Sequence, residues 1–235
     1  IDSSSQSLVA HDEGLYARRS RLIEDSSNWF ASPFLTPHHK TIGSYWLIAL
    51  SIRLFGNSEF ALRLPSVLAS FICLFISYFI ALKTTNKMCA FISVCALSSM
   101  PMWIKYSRYA SPDVTFVLCI LLIILFFLSF LQTNILLRRY FYIFLSGCFV
   151  SISFFVRSYM ALVPLFGLTP FLIYSLVKEK RIFSIYFFTG SFIGLIPTLL
   201  NLYYAYKKFG IKGISSLYDF AKTQAIGRLE LDNLL

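Results

Sequence analysis

Long apolar runs dominate the hydrophobic pattern of the chain from residue 64 onward. Backbone inside a bilayer must satisfy its own hydrogen bonds, and the short alternating segments of a membrane barrel are missing here. Runs close to the length of a bilayer predict spanning helices. They lie at about 64–82, 88–104, 114–131, 140–156, 160–177 and 183–204. We therefore predict an all-α fold, a polytopic bundle of transmembrane helices.

The first 63 residues follow a different pattern, more polar and without a run of spanning length. Residues 41–55 are apolar but short and carry Arg53, which predicts a helix lying in the membrane interface. The first predicted span opens with Pro65 in its first turn, where a missing N–H costs little. Three parts result: a first loop (1–63), a bundle of about six helices (64–204) and a truncated outer segment (205–235).

The distribution of lysine and arginine among the loops predicts how the bundle is oriented in the membrane. The loops after the first, third and fifth spans are the more basic ones and should face the cytoplasm. They carry Lys83, Lys87, Arg138, Arg139, Lys178, Lys180 and Arg181. Residues 1–63, 105–113 and 205–235 are then extracytoplasmic. A polar, exported start needs a preceding helix, so we expect a fragment of a longer multi-pass protein of the cell membrane.

The net charge of +10 does not point to nucleic acid, because the basic residues are scattered among short loops. Five cysteines lie in or beside apolar runs and form no Cys-x-x-Cys pair, which predicts small buried hydrophobic residues. They are Cys73, Cys89, Cys95, Cys119 and Cys148. In the last span, Gly190 and Gly194 form a small-xxx-small pair that allows close helix contact.

Two adjacent acids, Asp12 and Glu13, stand out in a chain with only 14% charged residues. A positioned carboxylate can act as the general base that takes the proton of an attacking hydroxyl. Spacings of four and three residues place Asp12, Tyr16 and Arg19 on one face of a short helix. The alternative is that Asp12 caps a surface helix and Glu13 favours its first turn.

Other polar residues of the outer side also have two interpretations. Arg63 and Arg157 lie at the lips of spans, where arginine often extends its charge to the interface without any chemical role. Asp113 follows Pro112 at the start of a span and could be its N-cap.

Four segments in this order resemble a family of membrane glycosyltransferases. They are HDEGLY (11–16), PHHKTIGSYW (37–46), FGNSEFALRLPS (55–66) and SRYASPD (107–113). The family is that of the dolichyl-phosphate-mannose protein mannosyltransferase-like enzymes, of GT-C type, which include the bacterial aminoarabinose transferases that modify lipid A. The resemblance covers about the first half of the chain. It implies a GT-C-like bundle, juxtamembrane helices in the outer first loop, and inverting sugar transfer from a polyprenyl-phosphate carrier.

The resemblance also implies roles for single residues. Asp12 occupies the position of the first-loop catalytic aspartate, and Asp113 that of the second-loop acidic residue, which we also expect to be catalytic. Tyr16 matches a tyrosine that lines the site, and Lys40 a lysine that meets the donor phosphate. We expect Glu13 to bind substrate as well.

Cations suit this chemistry, because negative charge grows on the lipid phosphate as the sugar–oxygen bond breaks. We expect Lys40, Arg63 and Arg108 to stabilise that charge. Where the aminoarabinose transferases have a glutamate that can bind zinc, this chain departs from the family and has His39. All three histidines (His11, His38 and His39) lie in the first outer segment, so a divalent metal ion is a possible cofactor, with His39 as its candidate ligand. The chain departs from the family at two further positions. Thr41-Ile42 follows Lys40 where the family often has proline, and Arg157-Ser158 stands where Lys-Gly is common.

The hypothesis is thus an integral-membrane glycosyltransferase with its active site on the extracytoplasmic face and Asp12 as general base. Its partners would be a polyprenyl-phosphate-linked sugar donor, an acceptor and membrane lipids. One alternative is a transporter or lipid flippase without transferase activity, which would carry ionisable groups deep within its spans. The other is a non-catalytic membrane scaffold, in which the outer acids and bases would be replaceable.

Overall fold

Helices form the elements of the computed structural model, and no strand occurs among the residues it describes. These are residues 11–31, 33–37, 40–162, 166–167, 169–170, 173–174, 177, 180–219 and 222. The helices are α1 (His11–Glu24), α2 (Gly43–Phe55), α3 (Glu59–Thr84), α4 (Lys87–Ser99), α5 (Pro101–Tyr106), α6 (Asp113–Gln132), α7 (Leu136–Arg157) and α8 (Lys180–Phe209). A 3₁₀ turn at Ser158–Ala161 continues α7. The predicted all-α fold is confirmed.

Four of the described helices are long and apolar enough to cross a membrane. They are Glu59–Thr84, Asp113–Gln132, Leu136–Ala161 and Ile185–Phe209. They match the predicted spans at 64–82, 114–131, 140–156 and 183–204. The predicted span at 160–177 falls in part outside the described residues. The predicted interfacial helix at 41–55 is α2, which is apolar but shorter than a span.

The predicted span at 88–104 is not one continuous helix. Met100 has an extended backbone (φ −64°, ψ 125°), and Pro101 starts a separate helix, α5. Proline disfavours helical backbone at the residue before it and has no N–H to donate. Together α4 and α5 are about 30 Å long, close to the thickness of the hydrocarbon core.

The start of α3 also differs from the prediction, because the helix begins at Glu59, six residues before Pro65. Ser58 is its N-cap and accepts a hydrogen bond from the Ala61 N–H at 3.2 Å. Pro65 therefore lies inside the helix and leaves the carbonyl of Ala61 without its usual donor. The buried hydroxyl of Ser51 on α2 donates to that carbonyl at 2.6 Å. This bond joins α2 to α3 where the helical ladder is interrupted.

Small residues bring α7 and α8 close together, as the glycine pair in the last span predicted. A Cβ atom added at Gly190 would lie 2.1 Å from the Phe144 carbonyl oxygen. One added at Gly147 on the facing helix would lie 2.2 Å from the Phe187 carbonyl oxygen. Ser151 donates to the Ser191 carbonyl across the same contact at 2.6 Å.

The expectation of five buried cysteines is wrong for two of them. Cys73 and Cys119 are buried and Cys148 is half-buried, but Cys89 and Cys95 on α4 are exposed. The reason is the position of α4, which packs against α3 and leaves most of its apolar surface uncovered within the described residues.

Candidate functional site

A buried ion pair attaches α1 to the start of α3. The Nε and Nη2 atoms of Arg63 donate to the two carboxylate oxygens of Glu13 at 2.9 and 3.1 Å. Glu13 is 2% exposed and Arg63 is 3% exposed. Glu59, one helical turn before Arg63, adds a longer contact of 3.9 Å. Two parallel hydrogen bonds between charged groups fix both position and angle, so this pair sets how α1 lies on the bundle.

Glu13 also connects α1 to the loop between α5 and α6. Its Oε1 atom accepts a hydrogen bond at 3.0 Å from the backbone N–H of Ala110, which is fully buried. The same loop is held to α3, because Ser66 donates to the Ser111 carbonyl at 3.3 Å. One carboxylate therefore joins α1, α3 and the loop between α5 and α6 at one end of the bundle.

One helical turn after Asp12, Tyr16 forms an aromatic and cationic surface with Lys40. The Lys40 ammonium lies 3.4 Å from the Tyr16 hydroxyl and 5.3 Å from the centre of its ring. Tyr16 packs against Tyr45 of α2, with ring centres 5.0 Å apart. Arg19 donates to the Tyr45 hydroxyl at 3.2 Å. Tyr16 and Arg19, two of the three residues predicted to share a face of α1, thus both lie toward α2.

The segment that carries Lys40 is fixed against the end of α7. The Thr41 hydroxyl donates to the Phe154 carbonyl at 3.2 Å. A Cβ atom at Gly43 would lie 2.6 Å from the Phe155 carbonyl oxygen, so only glycine permits this close approach. Thr41-Ile42 therefore has a structural role at the position where the resembling family often has proline.

Asp113 and Arg157 form a second ion pair beside this surface. Their charged groups are in direct contact, and about 30% of each side chain is exposed. The hydroxyls of Tyr16 and Tyr106 lie near enough to Arg157 to interact with its charge. Asp113 is the first residue of α6 and Pro112 is its cap, so Asp113 is not the N-cap that the alternative interpretation required.

The residue after Arg157 has an unusual backbone. Ser158 has φ 54° and ψ −141°, a conformation that glycine adopts readily and other residues seldom do. The resembling family often has glycine here. The turn ends α7 and leaves Arg157 at its tip, directed to Asp113.

Arg63 and Arg108 both line a cavity of about 550 Å³ between α3 and the α4–α5 segment. Most of its remaining lining is apolar, including Phe71, Leu74 and Trp103. Arg108 makes no side-chain hydrogen bond or ion pair within the described part of the chain. The cavity thus combines an apolar groove with cationic groups at the same end as α1.

Two predicted residues cannot be placed in the same detail. Asp12 belongs to α1, within its first described turn, but its side chain lies outside the described residues. His39, the predicted metal ligand, lies outside them altogether, as does His38. Within the described ranges, no group of three or more His, Cys, Asp or Glu side chains could hold a metal ion.

Sequence reasoning undervalued Arg157 and Tyr45. Arg157 was one of two span-lip arginines that could have been at the interface only, yet it pairs with Asp113. Tyr45, fully buried, holds both Tyr16 and Arg19. In the sequence, Arg157 is a cation beside a turn and Tyr45 is a polar aromatic residue in an apolar helix. Neither feature indicates which residue the side chain contacts.

Several bacterial transferases are similar in sequence to this chain. The undecaprenyl phosphate-alpha-4-amino-4-deoxy-L-arabinose arabinosyl transferase of Photorhabdus laumondii is 27% identical over 178 residues, covering 74% of this chain and 32% of the relative. The enzyme of that name from Yersinia enterocolitica is 26% identical over 204 residues, covering 85% and 37%. The chain thus spans about a third of the length of these relatives.

Solved structures show the same fold. ArnT from Cupriavidus metallidurans in the apo state superposes with a TM-score of 0.77 at 20% identity, over 92% of this chain and 41% of that one. ArnT bound to undecaprenyl phosphate gives a TM-score of 0.65 at 20% identity, over 92% and 38%. The expected GT-C-like architecture is confirmed, and with the long apolar helices it makes this chain a multi-pass membrane protein.

The family model described as dolichyl-phosphate-mannose-protein mannosyltransferase matches residues 39–204. That range includes Lys40, Arg63, Asp113 and Arg157, three of the four long apolar helices and most of the fourth. More than half of the sequence is matched, and the fold agrees independently. The chain therefore belongs to the dolichyl-phosphate-mannose-protein mannosyltransferase family.

Proposed function

We propose that this chain is part of a membrane glycosyltransferase that moves a sugar from a polyprenyl-phosphate donor to an acceptor on the extracytoplasmic side. The observation that carries the proposal is the surface formed by Tyr16 and Lys40, one turn from Asp12 on α1. It brings a carboxylate-bearing helix face, a cation and an aromatic ring to one end of an apolar bundle. The similar proteins of Photorhabdus laumondii and Yersinia enterocolitica are named as arabinosyl transferases, which supports the same class.

The donor requires a place for a charged phosphate and one for a long apolar chain. Lys40 and Arg108 supply positive charge at the same end of the bundle, and the cavity between α3 and α4–α5 supplies an apolar groove of about 550 Å³. A related structure with undecaprenyl phosphate bound supports a lipid phosphate as ligand. We assign the phosphate to these cations and the lipid chain to the groove.

In the proposed reaction, Asp12 takes the proton from the acceptor hydroxyl as its oxygen attacks the sugar carbon. The bond between that carbon and the donor phosphate oxygen breaks from the opposite side, which inverts the sugar centre. The lipid phosphate leaves with the electron pair, and Lys40 stabilises the charge it gains. Atoms and charges balance without an oxidant, a reductant or another co-reactant.

Glu13 and Arg63 receive a different role from the substrate binding that we expected. Each is almost fully buried and each satisfies the other, so we propose that the pair positions α1 and thereby Asp12. Asp113 likewise positions a charged partner: it forms an ion pair with Arg157, whose charge lies near Tyr16. We therefore propose that Asp113 contributes to the site by holding Arg157 in place.

A transporter or flippase is less well supported. The charged residues of the four long apolar helices lie near the helix ends, as with Arg63 and Lys83 of α3 or Asp113 of α6. The central turns of these helices carry no charged side chain, and ion-coupled transport usually needs ionisable groups at that depth.

Replacing Asp12 by asparagine tests the catalytic assignment. Asp12→Asn preserves the shape of the side chain but removes the base, so we expect sugar transfer to fall by roughly two to four orders of magnitude. Donor binding and membrane insertion should stay normal. Transfer from a polyprenyl-phosphate sugar by purified full-length protein is the measurement, with donor binding assayed in parallel.

The matched control is Asp25→Asn, which removes an exposed carboxylate just after the same helix. It should leave the transfer rate unchanged. Wild-type turnover by the Asp12→Asn protein would refute the role as general base and leave only a structural role for Asp12.

A further inference from the structure

A second cavity lies beside α1, on the side that carries Arg18 and Arg19. Its volume is about 500 Å³, and the loop at 33–36 forms its other wall. Four residues spaced by three and four positions line it from the helix: Leu15, Arg18, Arg19 and Leu22. Neither Tyr16 nor Lys40 lines it, so this cavity is distinct from the surface that those two residues form.

Two arginines make this cavity positive. Arg18 is exposed, and in the described part of the chain its guanidinium pairs with no carboxylate. Arg19 is half-buried, donates to the Tyr45 hydroxyl and lies 5.4 Å from the centre of the Phe34 ring. These contacts fix its direction without neutralising it. Among the lining residues that the structure describes, none is acidic.

The rim of the cavity is apolar. Leu35 is 94% exposed and Leu22 is 41% exposed, although both are large hydrophobic residues at the end of a membrane bundle. The loop that carries Leu35 is anchored, because Lys208 of α8 donates to the Phe34 carbonyl at 2.8 Å. Two uncompensated cations beside exposed leucines suit a ligand that is anionic at one end and apolar at the other.

We propose that this cavity binds the phosphate group of an anionic phospholipid. Arg18 and Arg19 donate charge-assisted hydrogen bonds to the phosphate oxygens, and Leu22 and Leu35 contact the adjoining apolar part of the lipid. A free phosphate ion would meet the charges and leave the leucines uncovered. The bound lipid bridges α1 and the 33–36 loop and stabilises the helix on which Asp12 lies.

Lipid binding by purified full-length protein in nanodiscs tests this site. The discs contain phosphatidylcholine alone or with added phosphatidylglycerol, and the readouts are lipid retention by native mass spectrometry and the melting temperature. Phosphatidylglycerol should be retained and should raise the melting temperature of the wild-type protein. Arg18→Gln should weaken retention about tenfold, because it removes one of the two guanidinium groups.

Arg21→Gln is the matched control, since it removes the same charge from the same helix. Arg21 donates to Asn57 at 2.8 Å and does not line the cavity. Retention by this variant should equal that of the wild type. Leu35→Glu is the second test: the residue is exposed, so the fold tolerates the change, and the new carboxylate should repel the phosphate.

Equal phosphatidylglycerol retention by wild type, Arg18→Gln and Leu35→Glu would overturn the proposal. Displacement of the lipid by inorganic phosphate or glycerol 3-phosphate at equal concentration would also overturn it, because the apolar part would then contribute nothing. Both readouts are independent of sugar transfer, so failure here leaves the proposed glycosyltransferase activity standing, and the reverse also holds.

Discussion

At the scale of single residues, the contact between Glu13 and Arg63 decides where α1 lies. Both charges are withdrawn from water, and their attraction offsets the cost of desolvation only while both partners are present. The bond from Ala110 adds a backbone donor to the same carboxylate. Glu13 therefore fixes where α1 lies, and the role that we propose for Asp12 depends on that position.

Loss of the Glu13 charge should destabilise the protein more than loss of the neighbouring Glu59 charge. Glu13→Gln leaves the buried guanidinium of Arg63 without its bidentate partner, and we expect the free energy of unfolding to fall by about 3 kcal/mol. Glu59 lies 3.9 Å from Arg63 and its side chain is 33% exposed, so Glu59→Gln should cost less than about 1 kcal/mol. Denaturant unfolding of the purified protein, followed by tryptophan fluorescence, measures both.

Equal stability losses for the two glutamine variants would contradict this assignment of the pair. A Glu13→Gln protein with normal stability and abolished donor binding would instead return Glu13 to the substrate-binding role expected from the sequence.

At the scale of whole elements, α7 and α8 approach through glycines and a serine. Membrane helices gain little from the hydrophobic effect against each other, so close backbone packing and hydrogen bonds provide the attraction. Gly147 and Gly190 each face a carbonyl of the other helix, and Ser151 donates across the contact. This contact holds α8 against α7. Further along α8, Asn201 and Lys208 donate hydrogen bonds to the carbonyls of Phe30 and Phe34.

A methyl group at Gly190 should separate these helices. The new Cβ atom would lie 2.1 Å from a backbone oxygen, which cannot move like a side chain, so Gly190→Ala should lower the free energy of unfolding by about 1–3 kcal/mol. Gly167→Ala is the control, because nothing lies within 4 Å of its added Cβ atom. Thermal unfolding in detergent compares them; an unchanged melting temperature for Gly190→Ala would disprove the close contact.

At the scale of the whole molecule, the polar contacts gather at two opposite ends. Glu13, Arg63 and Ala110 meet at one end. At the other, Lys83 donates to the Gln132 side chain at 3.2 Å and its carbonyl accepts from that amide at 2.9 Å. This grouping agrees with the loops that the lysine and arginine pattern placed together. The assignment of the first end to the extracytoplasmic side stays a prediction.

Thiol labelling in intact cells tests that orientation. In a cysteine-free full-length background, a cysteine at exposed Lys105 should react with an impermeant reagent. A cysteine at exposed Thr85, at the opposite end, should react only after lysis. The reverse labelling pattern would place the Tyr16–Lys40 surface in the cytoplasm and exclude an extracytoplasmic donor site.

The sequence by itself determined the fold class, most of the spanning helices and the set of residues to consider. These depend on local properties: the length of an apolar run, the charge of a loop and the order of short motifs. The break at Pro101 is local as well, yet averaging hydropathy over the run concealed it. The start of α3 was mislocated because proline is also tolerated inside a helix when another group, here Ser51, satisfies the freed carbonyl.

Only the tertiary structure decided which polar groups are partners. Glu13 lies 97 residues from Ala110, and Thr41 lies 113 residues from Phe154. Asp12 and Glu13 look equivalent in sequence, and nothing local to them shows that the Glu13 side chain is buried against Arg63. Such pairings depend on how distant helices pack, and no local pattern of hydrophobic and polar residues encodes that geometry.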